Sequence, residues 1–199
     1  MKCLNIVIVG VGGQGTLLTS KILAQLAKEQ KYNVKVSEVH GMAQRGGSVI
    51  THVRIGEQVH APLVAAGSAD YLLAFEPLEA ARALPYLKPD GKLIVSTQRI
   101  SPMPVLSGAV KYPREPYQSL LGASQSVQAL DAYTLAVEAG SHKAVNIVLL
   151  GVLSRHLEFP EEAWTDAITA CVPPRTLETN RKAFASGREH IPNAEQKEN

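Results

Sequence analysis

Cysteine is scarce in this sequence, which has two cysteines among 199 residues, Cys3 and Cys171. An iron–sulfur or zinc site made of four cysteines is therefore impossible within this polypeptide. We expect two buried thiols rather than a disulfide, because disulfides are rare in cytoplasmic proteins. His52 and His60 have no third ligand at a metal-like spacing, so the sequence predicts no metal site.

The sequence also lacks a strong net charge and a long apolar run. Twenty Lys and Arg against 18 Asp and Glu give a net charge of +2, which is too small to indicate a nucleic-acid or membrane partner. Residues 144–153 form an apolar stretch that is interrupted by Asn146 and Gly151, and it is far shorter than the roughly 20 residues that span a bilayer. The beginning, MKCLNIVIVG, lacks the features of a signal peptide. We therefore expect a cytoplasmic protein without a membrane segment.

Strand and helix patterns alternate along the first half of the chain. LNIVIVG, residues 4–10, is a short β-branched apolar run of the kind found in central parallel strands, and from Thr16 onward apolar residues recur at helical spacing. A second strand then completes a βαβ unit, and a second such unit follows. The predicted elements are strands at 4–10, 33–38, 48–56, 71–76 and 92–97, helices at 16–29 and 77–87, and a turn at 89–91.

The second half of the chain is irregular at first and then mostly helical. Residues 98–116 contain four prolines, which predicts an extended excursion with short strands near Val105 and Val110 rather than a helix. A strand at 126–132 is followed by helices at 133–139, from 144 to 153, from 160, and from 173 to just before Gly187. We predict one α/β domain at residues 1–188, a Rossmann-like mostly parallel sheet flanked by helices with a helical C-terminal end, followed by a polar tail at 189–199.

The turn GVGGQG has the spacing of a dinucleotide-binding motif. Gly10, Gly12 and Gly15 match G-x-G-x-x-G after a strand and before a helix, and free N–H groups at a helix start attract anions. Glu38 ends the second strand, where such proteins hold the ribose hydroxyls. One interpretation is a stand-alone NAD(P)-binding Rossmann oxidoreductase. The other is that the glycines serve only close packing of strand against helix.

The stretch VHGMAQRGGSV, residues 39–49, weakens the NAD interpretation. A dinucleotide-binding protein continues from the acidic residue into a helix, whereas this stretch is too glycine-rich for one and leads directly into a strand. We expect it to obstruct the adenosine side. The candidate ligand- or partner-binding residues of the two segments are Gly12, Gly13, Gln14, Gly15, Glu38, His40, Gly41, Gln44, Arg45, Gly46 and Gly47.

Taken together, these segments resemble a known family, the γ-type subunits of 2-oxoacid:ferredoxin oxidoreductases, and most closely the β subunits of the indolepyruvate-type enzymes. The resemblance covers nearly all of residues 4–188, and SEVHGMAQRGGSV is a highly specific part of it. The matching segments are GVGGQGTLLTSKILA, SEVHGMAQRGGSVITHVRIG, ADYLLAFEPLEAARALPYLKPDGKLIV, NIVLLGVLSRHL and LETNRKAFASG.

The resemblance implies an accessory subunit that is inactive alone. In such enzymes a 2-oxoacid is decarboxylated, its acyl group passes to coenzyme A, and two electrons pass to ferredoxin. The resemblance places thiamine diphosphate, Mg²⁺ and [4Fe-4S] clusters on a larger catalytic partner subunit, with coenzyme A as co-substrate and no cofactor bound by this chain alone. The scarcity of cysteine agrees with that division of labour.

Arg45 is the candidate catalytic residue, because a guanidinium pairs bidentately with carboxylates and phosphates. We expect the loop at residues 37–48 to pack against the partner and to help close the entrance for substrate or coenzyme A. The alternative is a structural pair between Arg45 and Glu38, with the glycines serving a subunit interface. A third, non-enzymatic interpretation is an interaction protein that responds to coenzyme A or a nucleotide. The isolated chain could also form a homodimer through the surface meant for its partner.

Overall fold

The computed structural model describes residues 3–40, 46–101, 103–113 and 126–190, and these residues form six strands and seven α-helices. The strands are β1 (Leu4–Val11), β2 (Asn33–His40), β3 (Ser48–Gly56), β4 (Ala69–Ala74), β5 (Leu87–Ser96) and β6 (Val127–Leu130). The helices are α1 (Thr16–Glu29), α2 (Pro77–Ala83), α3 (Met103–Leu106), α4 (Ala132–Glu138), α5 (Val145–Ser154), α6 (Glu161–Cys171) and α7 (Leu177–Glu189). Short 3₁₀ turns lie at Leu84–Tyr86, His142–Ala144 and Pro174–Thr176.

The strands form one sheet in the order β2-β3-β1-β4-β5-β6. Neighbouring strands from β1 through β4 and β5 to β6 run parallel, whereas β3 is antiparallel to both β1 and β2. The prediction of an α/β fold with a mostly parallel sheet is confirmed. The predicted first βαβ unit needs correction, because β3 lies between β1 and β2. β3 follows β2 after a short connection, and consecutive strands with such a connection pair readily in antiparallel fashion.

Both faces of the sheet are covered, which explains why β1 is apolar at consecutive positions. Ile6, Val7 and Ile8 are completely buried, as expected for a strand with packed layers on both sides. Their side chains alternate between two hydrophobic clusters, one that includes α1 and the C-terminal helices and a smaller one that includes α2. Helix α5 is buried along its whole length, so the prediction of a buried helix there is confirmed.

Trp164 anchors the C-terminal helices. Its ring is fully buried and lies 6.1 Å from the Phe159 ring and 5.8 Å from the Phe184 ring, centroid to centroid. Large aromatic side chains contribute much of the apolar area that a core removes from water. Apolar packing therefore joins the C-terminal helices to one another, and His156 adds polar contacts to Tyr71, Lys92 and Gln128 of the sheet.

The predicted turn at residues 89–91 is wrong, because β5 runs through this segment. The pairing of β5 with β4 shifts register between Ala69 and Tyr71. Extra residues in one strand form an irregularity in which proline and glycine are tolerated. At Gly91 a Cβ atom would lie 2.8 Å from the Ala69 carbonyl oxygen, so glycine is needed there for close approach of the strands.

Two further predictions for the second half of the chain are wrong. The structure has helix α3 where short strands were predicted, and no strand occurs within the described residues 103–113. Pro104 stands in the first turn of α3, where its missing N–H removes no helical hydrogen bond. Gly187 lies inside α7 rather than beyond its end, because a residue without a side chain is needed where α7 crosses α5.

Two histidines are held in environments that favour their neutral form. The Val64 N–H donates to Nδ1 of the buried His52 at 3.3 Å, and burial lowers the pKa of His52 below its ordinary value of 6.5. Burial, with the cationic Lys92 and Arg155 nearby, likewise lowers the pKa of His156. The unfolded chain therefore takes up protons near pH 6.5 that the folded protein does not bind.

We expect the free energy of unfolding to fall as the pH is lowered below about 6.5, the ordinary histidine pKa. Each pH unit by which a folded pKa lies below the unfolded pKa costs up to about 1.4 kcal/mol, or roughly 2–4 °C in Tm for each kcal/mol in a protein of this size. Thermal unfolding between pH 7.5 and 5.0 measures the effect, and His156→Gln should reduce the slope. His60 is exposed, so His60→Gln is the control. An unchanged Tm across this range would contradict the assignment.

Candidate functional site

The glycine turn between β1 and α1 adopts a backbone that requires glycine. Gly13 has φ +102° and Gly15 has φ +90°, values that other residues rarely adopt. Asn146 at the start of α5 packs directly on Gly15, and its Nδ2 donates to the Gly15 carbonyl at 3.3 Å. A Cβ on Gly15 would lie 2.8 Å from that Nδ2. The turn is thus fixed by close packing against α5.

Gln14 holds the turn against β4. Its Oε1 accepts from the Val11 N–H at 2.7 Å, and its Nε2 donates to the Phe75 carbonyl at 3.0 Å. β1 leads to α1 on one face of the sheet and β4 leads to α2 on the other, so this amide bridges the point where the chain changes faces. Such points are the usual ligand crevices of α/β sheets, and here the crevice contains the Gln14 side chain.

The two candidate segments meet through backbone hydrogen bonds. The Gly12 N–H donates to the Gly47 carbonyl at 2.8 Å, and the Gly46 N–H approaches the Gly12 carbonyl at 3.4 Å. Gly46 has φ +76°, which suits glycine. The structure therefore brings Gly12, Gly46 and Gly47 together. Gly41, Gln44 and the candidate catalytic Arg45 lie outside the described residues.

Glu38 is held by two hydroxyl groups. Its Oε2 accepts from Thr51 Oγ1 at 3.0 Å and from Thr16 Oγ1 at 3.5 Å, so it links β2 and β3 to the start of α1. A cleft of about 510 Å³ opens beside it, lined by the glycine turn, the first turn of α1, His40 and Val49. The arrangement differs from the dinucleotide-binding one in that the antiparallel β3 separates β2 from the glycine strand.

A second cleft of about 450 Å³ lies on the other side of the glycine turn. Its walls come from segments far apart in sequence, and among the described residues they include Lys143 and His142 but no carboxylate. The Ser141 side chain caps the 3₁₀ turn by accepting from the Lys143 N–H at 3.2 Å. Besides Gly13 and Gln14, the lining residues are Gln98, Ile100, Tyr133, His142, Lys143 and Val145. The cationic side chain among the described lining residues of this cleft is that of Lys143, whereas the first cleft contains Glu38.

Two buried carboxylates, those of Glu76 and Glu79, lie close behind the turn. Neither was predicted from the sequence as a site residue. Glu76 is 1% exposed, and its Oε2 accepts from the N–H groups of Leu78 and Glu79 at the start of α2. Tyr112 donates to its other oxygen, and burial of the phenol, together with this contact, raises the pKa of Tyr112. Charged residues are rarely buried without a partner. The position of Glu76, directly after the apolar residues that end β4, was therefore the signal in the sequence that could have indicated a buried, partnered carboxylate.

Comparison with known proteins identifies the family. A family model described as pyruvate ferredoxin/flavodoxin oxidoreductase matches residues 5–190. The chain belongs to this family. The resemblance inferred from the sequence is confirmed, and the alternative of a stand-alone NAD(P)-binding oxidoreductase is not supported.

Several relatives match nearly the whole chain. The indolepyruvate oxidoreductase subunit IorB of Thermococcus kodakarensis is 43% identical, over 94% of this chain and 95% of that protein. The gamma subunit of a keto/oxoacid ferredoxin oxidoreductase from Geobacter sulfurreducens superposes with a TM-score of 0.70 at 26% identity, over 94% and 96% of the two chains. A 2-oxoglutarate:ferredoxin oxidoreductase from Magnetococcus marinus shares the fold, with a TM-score of 0.69 at 20% identity. It matches 94% of this chain but 31% of its own.

Among the residues that the structure describes, no group of three or more His, Cys, Asp and Glu could hold a metal ion. Both cysteines of the chain are free. No helix in the described part of the chain is long and apolar enough to cross a membrane.

Proposed function

We propose that this chain is the accessory subunit of an indolepyruvate-type 2-oxoacid:ferredoxin oxidoreductase that acts on arylpyruvates. The observation that carries the proposal is the match to an indolepyruvate oxidoreductase subunit along 94% of the chain at 43% identity. In the overall reaction a 2-oxoacid, coenzyme A and two oxidised ferredoxins give acyl-coenzyme A, carbon dioxide, two reduced ferredoxins and one proton. The C–C bond to the carboxylate breaks, and the acyl–sulfur bond forms.

The larger partner subunit supplies the cofactors of this reaction. [4Fe-4S] clusters do not fit the donors of this chain, because two cysteines are too few for a cluster with four thiolate ligands. The sequence also has no Gly-Asp-Gly segment of the kind that holds the magnesium diphosphate of thiamine diphosphate. We therefore assign no step at these groups to residues of this chain. Ferredoxin is reached through the assembled complex, and the assembly belongs in the cytoplasm.

The contribution of this chain is a docking edge and a contact for coenzyme A. Both clefts lie at the edge of the sheet formed by the carboxyl ends of the parallel strands, and the connection from β2 to β3 begins and ends at the same edge. We assign this edge, with the segment at residues 37–48, to the face toward the partner. Coenzyme A carries several phosphate charges, and the Lys143 ammonium in the second cleft has the complementary sign. The Glu38 side would repel the same phosphates. The Magnetococcus marinus neighbour was solved with coenzyme A and succinyl-CoA bound.

Reconstitution tests the proposal. The partner subunit, produced with and without this chain, is assayed for reduction of ferredoxin or methyl viologen that depends on an arylpyruvate and coenzyme A. We expect omission of this chain to lower the rate at least about tenfold, since subunits that complete an entrance or position a substrate commonly contribute this much. A partner subunit that is equally active alone would refute the accessory role.

Two further measurements separate the proposal from its alternatives. Titration of the isolated chain with NAD(H) and NADP(H) should give no saturable micromolar binding, and such binding would revive the dinucleotide interpretation. Arg45→Ala in the assembled complex should lower turnover. Unchanged turnover together with lost coenzyme A binding would instead indicate regulation, the role expected of an interaction protein.

A further inference from the structure

Glu79 has contacts that the proposed reaction does not require. It lies in the first turn of α2 and is 4% exposed. One carboxylate oxygen accepts from Ser48 Oγ, at the first residue of β3, and the other lies 2.7 Å from Nη1 of Arg82. Glu79 therefore connects α2, on one face of the sheet, to the point where the chain enters β3.

A carboxylate at this position is costly to bury. Removing an ionised group from water costs several kcal/mol, and one partly exposed guanidinium offsets only a fraction of that cost. An apolar residue would pack against the neighbouring core at no such cost. The carboxylate of Glu79 is therefore better explained by the contact that it makes with Ser48 than by any gain in stability.

The group that Glu79 holds leads directly to the glycine turn. Ser48 follows Gly47, whose carbonyl accepts from the Gly12 N–H at 2.8 Å. The Gly12 N–H is thereby engaged by the chain itself, and the turn is attached to the β3 side at the end of β1. Gln14 fixes the same turn from the β4 side. Without the Ser48 side-chain contact, the β3 side of the turn is held by backbone hydrogen bonds alone, while Gln14 and Asn146 still hold the other sides.

We propose that Glu79 is a positioning residue that holds the glycine turn in its ligand-binding shape through Ser48 and Gly47. The first part of its test needs only the isolated chain. The second part rests on the proposed function, because it uses the contact with coenzyme A.

The first measurement is amide hydrogen exchange of Gly12 in the ¹⁵N-labelled isolated chain. We expect Ser48→Ala and Glu79→Gln each to raise Gly12 exchange about tenfold, as for loss of one charge-assisted hydrogen bond, with little change at core amides of β4 and β5. Ser48→Thr keeps the hydroxyl and should restore the wild-type rate. The double variant should add nothing to the single ones. The control is Glu178→Gln, which removes an exposed carboxylate of α7.

A rise in the amide exchange rate that is confined to Gly12 and is absent in Ser48→Thr supports the positioning role. An unchanged Gly12 rate, or an equal rise at all core amides, overturns it. Ser48 is exposed, so Ser48→Ala gives a decisive result even where Glu79→Gln folds poorly.

In the assembled complex, the same variants should raise the KM for coenzyme A about fivefold or more, the loss of about one hydrogen bond, while kcat stays within about twofold. A selective change at Gly12 with an unchanged KM keeps the positioning role and refutes the assignment of the coenzyme A contact. The two proposals therefore fail in different ways.

Discussion

Gly187→Ala is expected to destabilise the protein by about 3 kcal/mol or more, the upper part of the range for overpacked cores. The Cβ of alanine at this position would lie 1.9 Å from the Val148 carbonyl oxygen and 2.8 Å from its carbon. These are backbone atoms of the fully buried helix α5, so they cannot move aside as the end of a flexible side chain could. The helices would have to separate.

The intrinsic preference of a helix works in the opposite direction. Alanine is favoured over glycine in a helix interior by about 1 kcal/mol, so an unobstructed site would be stabilised by this substitution. The steric cost is larger, because separating α5 from α7 also loosens the apolar packing between them. A net loss of about 3 kcal/mol corresponds to a fall in Tm of about 6–12 °C for a protein of this size.

Thermal and urea unfolding of Gly187→Ala measure this effect. Lys182→Ala changes an exposed residue of the same helix, whose contact with Glu178 is a surface ion pair of 3.8 Å, and it should alter stability by no more than about 0.5 kcal/mol. A Gly187→Ala protein as stable as the wild type would show that α5 and α7 do not approach this closely.

Local sequence patterns predicted the elements whose burial is uniform. Three local patterns indicate directly how their elements are buried: the β-branched run of β1, the helical spacing in α1 and the apolar stretch of α5. The position of β3 between β1 and β2 could not be predicted from its local pattern, because an alternating strand fits an edge or an interior position of a sheet equally well. The same holds for Gly187, whose placement inside α7 depends on the approach of α5.

Only the part of the candidate site that rests on local motifs could be predicted from the sequence. The glycine turn follows from a local motif, and its contact with Gly46 and Gly47 joins the two segments that sequence analysis had singled out. Lys143 is 130 residues from Gly13 in the sequence, and only the folded chain places both in one cleft. Glu79 and Ser48 are likewise separated by 31 positions. Such pairs create no periodicity, so no local pattern could indicate them.

We propose that the cleft at Lys143 gives the glycine turn a use that does not involve a dinucleotide. In a dinucleotide-binding protein the strand beside the turn carries the acid that holds a ribose. Here Glu38 accepts hydrogen bonds from Thr16 and Thr51, whereas Lys143 lines the second cleft on the side of α4 and α5. A ligand whose phosphates pair with Lys143 would approach the turn from that side.

Lys143→Ala is therefore expected to raise the KM for coenzyme A about tenfold to a hundredfold, since a hydrogen bond to a charged group contributes about 1.5–3 kcal/mol. The KM for the arylpyruvate and kcat should stay within about twofold, because phosphate contacts far from the reacting sulfur bind ground state and transition state alike. Lys143→Glu should have a larger effect, and raising the ionic strength should reduce the difference from the wild type.

Steady-state kinetics of the reconstituted complex, with coenzyme A varied at saturating arylpyruvate, measure this effect. Lys182→Ala is the matched control, because it removes an exposed lysine from α7 without touching either cleft. Dephospho-coenzyme A, which lacks the 3′-phosphate, distinguishes the phosphate involved. If Lys143 pairs with the 3′-phosphate, the variant and the wild type should use this analogue equally well, whereas a persistent difference would assign Lys143 to the diphosphate. A KM for coenzyme A that is unchanged in both Lys143 variants would exclude this cleft as the contact and leave the surface around Glu38 and His40 as the place to search.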